Sequence, residues 1–159
     1  MLIYGFAKQT FVYKGGLQMT KDSLYNYADK ENINISYTNK LKKSNGLYMK
    51  IDNEDYIILD NKLDGIDENM ALAEEIAHYE VGVVPTIPFK NDYYNMLIRS
   101  KNEFKAFKWM ANEIIPKDNL KLFLKQNMSK FEIADELGIT VEFVEKAYKL
   151  YEDDFKEVI

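Results

Sequence analysis

Three side chains between positions 74 and 78 could do chemistry together. Glu74 and His78 stand four residues apart, so on a helix they share one face. A carboxylate oxygen and an imidazole nitrogen on one face can grip a single divalent ion. Glu75 lies between them, one position off the ligand turn, where a carboxylate would meet a water on the ion and serve as general base. The pattern E-E-x-x-H is the H-E-x-x-H helix of zinc-dependent peptidases with its first histidine replaced by glutamate. His78 is the only histidine in the 159 residues, so no second imidazole ligand is available. A third ligand must come from another element. Glu103, on the segment Glu103-Phe104-Lys105-Ala106-Phe107, is the best placed if a second long helix crosses the first. A tyrosine, Tyr79, Tyr93 or Tyr94, could donate to a developing oxyanion or contact substrate. The plain alternative is a packed histidine beside glutamates on a solvated helix face.

The elements around these residues can be read from spacing. Asp67 can cap a helix from Glu68 to about Val81, with Leu72, Ile76 and an alanine as its apolar face and Gly82 as its stop. Before it, Thr20 opens a helix through about Lys30. Ile33, Ile35 and Tyr37 then alternate with polar residues as in a half-buried strand. Gly46 to Ile51 and Tyr56 to Asp60 flank the polar turn Asp52-Asn53-Glu54-Asp55 and read as two more strands. Pro85 and Pro88 make 82–95 an irregular loop ending in Asp92-Tyr93-Tyr94. A long helix is expected over 96–115, stopped by Pro116, and a short one from Asp118 to Gln126. Ser129 and Thr140 cap a closing helix pair, 130–137 and 141–151, hinged at Gly138. The class is α+β: a small antiparallel sheet packed on helices, with a helical C-terminal part.

Three regions follow: an N-terminal extension over 1–18, a main domain over 19–127, and the helix pair over 128–159. Residues 1–18 admit two readings. Ile3 to Tyr13 can form a strand, or Met19 can be the true start, since Lys14-Gly15-Gly16 can be encoded by a purine-rich ribosome-binding sequence.

Composition sets the outer limits. Hydrophobic residues are 47% and charged residues 30%, enough apolar material for a sizeable core, much of it in 12 tyrosines and 9 phenylalanines. There is no cysteine, which excludes disulfides, thiolate zinc sites and cysteine nucleophiles. No stretch approaches 18 consecutive apolar residues, so no membrane partner is expected, and a cytoplasmic location is the default. The net charge of −5 lacks the basic footprint of a nucleic-acid binder. The helix pair is built like a helix-turn-helix. Yet residues 129–152 carry three lysines against six carboxylates, the wrong sign for phosphate contacts. No direct nucleic-acid binding is expected; a small DNA-binding regulator is the outlying alternative.

Several segments together resemble one family. Leu72-Ala73-Glu74-Glu75-Ile76-Ala77-His78-Tyr79 looks like the active-site helix of the ImmA/IrrE metallopeptidases, whose phage and mobile-element members often read L-A-E-E-[LI]-[AG]-H-Y. Gly46-Leu47-Tyr48 and Tyr56-Ile57-Ile58-Leu59-Asp60 resemble the strand pair before it. Glu103 with Ala106, Trp109, Ala111 and Ile114-Ile115-Pro116 resembles a later helix. Ile133 to Thr140 with Phe143-Val144 resembles the C-terminal part. The likeness spans about residues 19–151. It implies a zincin-like fold and zinc-dependent peptide hydrolysis. It also implies a helix-turn-helix repressor of a phage or mobile element as substrate or partner, an anti-repressor role. By the same resemblance Glu74 is the first ligand, Glu75 the catalytic glutamate, His78 the second ligand and Glu103 the third. Glu74 departs from the histidine form. The added charge weakens the hold on Zn²⁺ and lets Mn²⁺ or another hard divalent ion compete. A relative that binds a repressor without cutting it is the alternative.

Overall fold

The computed structural model describes residues 16–82 and 92–156, without the side chains of 92–98. The order is α1 (Lys21–Lys30), β1 (Ile33–Thr38), β2 (Gly46–Ile51), β3 (Glu54–Asp60), α2 (Gly65–Glu80), α3 (Asp92–Ile114), α4 (Lys117–Lys125), α5 (Lys130–Leu137) and α6 (Val141–Phe155). The class is α+β, as the sequence predicts.

Local signals account for most boundaries. The Thr20 hydroxyl accepts from the Ser23 N–H and starts α1. Ser129 and Glu132 form a reciprocal capping box on α5, which ends at Gly138 with φ +65. Thr140 caps α6 through the Phe143 N–H. The β2–β3 hairpin turns on Asp52 and Asn53 alone, with φ of +50 and +65. That is the two-residue loop whose twist suits a tight hairpin.

Five expectations are corrected. The sheet is mixed, in the order β1-β3-β2: β2 pairs antiparallel with β3, and β1 pairs parallel with it. The tight hairpin occupies one side of β3, so β1 takes the other, and alternation of apolar residues carries no direction. The hairpin turn is shorter than 52–55, because Glu54 and Asp55 already pair with Ile51 and Lys50. Helix α2 begins three residues before Glu68, after Asp64, which offers no side-chain cap. Helix α3 begins at Asp92, so Asp92-Tyr93-Tyr94 form its first turn and do not end a loop. Nothing after Pro88 interrupts it until Pro116. Helix α6 also runs four residues past Tyr151. The strand expected over 3–13 and the loop residues 83–91 lie outside the described residues.

Successive residues of a strand face opposite sides, and Gly46, Tyr48, Ile57 and Leu59 share one side of the sheet. Helix α2 packs on β2 and β3, and α3 packs on α2. Ile57, Leu59, Leu72 and Ile76 are fully buried. The same buried cluster runs on through Ile114, Leu120 and Ile133 to Phe155, so the C-terminal helices share the core. At the far end of α2, buried Glu68 accepts from Tyr37 at 2.7 Å and Tyr25 at 3.3 Å and pairs with Lys21 at 3.2 Å. This ties α1 and β1 to α2.

Removing the Ile57 side chain would leave a cavity between sheet and helix. Ile57→Ala is expected to cost about 2–5 kcal/mol, read as a lower urea midpoint at unchanged m-value.

Candidate metal centre

Helix α2 buries one stripe on the sheet and carries its chemistry on the adjoining stripe. Among the described residues the buried polar side chains are Glu68, Glu75 and His78, and two of these sit on the same turn. Glu75 and Glu68 are therefore no solvated face. His78 is 9% exposed, whereas Glu74 on the preceding turn is open to solvent.

Helix α3 packs on α2 and delivers Glu103. One ligand atom each from Glu74, His78 and Glu103 lies within 4.8 Å of the other two. The His78 Nε2 to Glu103 Oε2 distance is 3.6 Å. Ligands about 2.1 Å from a tetrahedral ion stand roughly 3.4 Å apart. The spacing therefore fits a shared ion, and the donor set of one imidazole and two carboxylates suits a divalent cation. The structure brings together the three residues that the sequence proposes as ligands. His78 Nδ1 is buried without a hydrogen-bond partner among the described residues.

Electrostatics agree with the geometry. Partial desolvation of this exposed side chain and the nearby Glu103 raise the Glu74 pKa, against the opposing pull of His78 and Lys146. Burial works against the charged form of His78, but Glu103, Glu75 and Glu74 outweigh it and raise its pKa. His78 holds Glu103 below the ordinary carboxylate value, with help from Arg99. Glu75 is pushed up to about 7, chiefly by burial, with Glu74 adding and His78 and the Tyr48 N–H opposing. A carboxyl near neutrality is poised to take and return a proton.

Glu75 has its own support. Its Oε2 accepts from the backbone N–H of Tyr48 on β2 at 2.7 Å. That donor is invisible in the sequence, since any residue but proline could supply it. A groove of about 260 Å³ starts at Glu74 and Glu103. Met70, Ala106, Phe107, Met110 and Phe143 give it apolar walls, and Thr140, Glu142 and Lys146 bring the start of α6 to it. Helical periodicity marks Phe143 as apolar but not which wall it joins. The Tyr79 hydroxyl donates to Glu31 at 3.3 Å, and its ring meets Tyr48 at 5.9 Å, so the structure does not bring it to the cluster. Tyr93 and Tyr94 are in the first turn of α3, and their side chains lie outside the described residues.

Glu74 and His78 on one helix and Glu103 on a second form a group that could hold a divalent ion, with the buried carboxylate of Glu75 beside it. The Peptidase_M78 family model, described as the IrrE N-terminal-like domain, matches residues 28–149, and the chain belongs to that family. No curated protein and no solved structure matches it. Among the described residues no helix is long and apolar enough to cross a membrane.

The purified protein is expected to hold about one equivalent of a divalent ion by elemental analysis, and His78→Ala to hold none. An ion at a hundred times its Kd should stabilise the fold by about 2.7 kcal/mol. For a chain of this size that raises Tm by roughly 5–10 °C, and a chelator should reverse it.

Proposed function

We propose that this chain is a metal-dependent peptidase whose substrate is a helix-turn-helix repressor of a phage or mobile element. The observation that carries the catalytic part is Glu75: a buried carboxylate near neutrality, anchored by the Tyr48 amide, one position from the Glu74/His78/Glu103 group. The repressor rests on the family likeness.

Glu74, His78 and Glu103 would hold the ion. When bound, the ion supplies a Lewis acid that polarises the peptide carbonyl and makes water acidic enough to react near neutral pH. Glu75 accepts a proton from the attacking water as oxygen bonds to the carbonyl carbon. It then passes that proton to the amide nitrogen as the C–N bond breaks. The products are a new carboxyl and a new amine. The apolar groove from Glu74 to Phe143 receives a substrate side chain beside the cleaved bond. Zinc is the expected ion. Two carboxylates to one imidazole narrow its advantage over Mn²⁺, because harder ions prefer oxygen.

The test is incubation with the repressor encoded beside the gene. Wild type should cut it, and Glu75→Gln should cut at least about 10²-fold more slowly with its metal content unchanged. Cleavage undiminished in that variant removes Glu75 from the base role. Wild type that holds metal and binds the repressor without cutting it is a non-catalytic partner.

A further inference from the structure

Gly46 has no conformational need to be glycine. It opens β2 in ordinary strand geometry and is not among the glycines of positive φ. Glycine weakens a strand, and inside one it often marks a close approach. The three atoms that come nearest here all belong to Glu75. A Cβ built at position 46 would lie 2.7 Å from Glu75 Cγ, 3.0 Å from Oε1 and 3.2 Å from Cδ. No other residue stands among its nearest neighbours.

The hairpin register explains the route. The Asp60 N–H donates to Asn45, which places 45, 47, 49 and 51 in the hydrogen-bonded pairs with β3. Positions 46, 48 and 50 therefore turn their N–H groups away from β3, and β2 is an edge strand. Glu75 comes down from α2, crosses the strand over position 46, and reaches the outward amide of Tyr48 at 2.7 Å. One oxygen is fixed there. The other lies in the space that the missing side chain leaves.

The geometry points to Gly46 as a positioning residue for Glu75: its bare backbone forms the notch that lets the carboxylate reach the Tyr48 amide and stay beside the metal ligands. This deepens the peptidase reading, in which Glu75 carries the proton. A methyl at 46 meets Cγ, midway along the chain, and cannot be avoided by turning the carboxylate tip. Glu75 must withdraw, and its bond to Tyr48 must break.

The test uses Gly46→Ala, Glu75→Ala and the double variant of the full chain, none of which requires a substrate. In ¹H–¹⁵N spectra, Gly46→Ala should move the Tyr48 amide proton upfield toward its position in Glu75→Ala. Its affinity for Mn²⁺ or Zn²⁺ should stay within about threefold of wild type, since the three ligands do not touch position 46. The urea midpoint should fall when Gly46→Ala is made in the wild type. It should hold or rise when the same change is made in Glu75→Ala, where the methyl has room. A Tyr48 amide unmoved by Gly46→Ala, or an equal midpoint change in both backgrounds, overturns the proposal. A chain without peptidase activity would still give either result, so failure of the notch and failure of the peptidase reading are separable.

Discussion

The structure depends on how α2 meets the sheet. Its apolar stripe, Leu72, Ala73, Ile76 and Ala77, must be buried against β2 and β3, yet the turns that carry it also carry Glu74, Glu75 and His78. A buried carboxylate without partners costs several kcal/mol. The Tyr48 amide removes part of that cost for Glu75 and ties helix to strand at the same point. The edge position of β2 makes this possible, since a strand paired on both sides would have no amide to offer. Sheet order and site chemistry are thus one arrangement.

The cluster at the other face is held by opposition of charges. Glu103 disfavours the ionisation of Glu74, while His78, in a nearly dry position, favours the charged form of both. Two carboxylates and an imidazole converging within 4.8 Å is an arrangement that a cation relieves. The two helices that carry it are long, 16 residues in α2 and 23 in α3, and they pack on each other.

Much of this was legible in the sequence, for identifiable reasons. Ser129, Glu132, Gly138 and Thr140 are local signals that act within a turn, and the C-terminal helices fell where those residues put them. Glu74 and His78 share a helix face by spacing alone, and Glu103 was the candidate on the next long helix before the family pattern pointed to it as well. The parallel pairing of β1 was not legible, because Ile33, Ile35 and Tyr37 alternate identically in either direction. Nor was the start of α3: loop and first turn draw on similar polar residues, and Asp92 serves either. The burial of Glu68 and Glu75 was hidden too, since a glutamate's letter does not say whether a tyrosine or a backbone amide waits for it.

Tyr48 is bonded in three directions. Its amide holds Glu75, its hydroxyl donates to Asp55 at 2.7 Å, and its ring stands edge-on to Tyr79. A hairpin edge is normally where a sheet slips, and a slip of one residue exchanges the two faces of a strand. Here such a slip would point Tyr48 away from the helix, draw its amide into the ladder and put the side chain of Asn45 or Leu47 where Gly46 leaves room for Glu75. These three contacts therefore act as a register lock, and the alignment of two short strands is what gives Glu75 its amide partner.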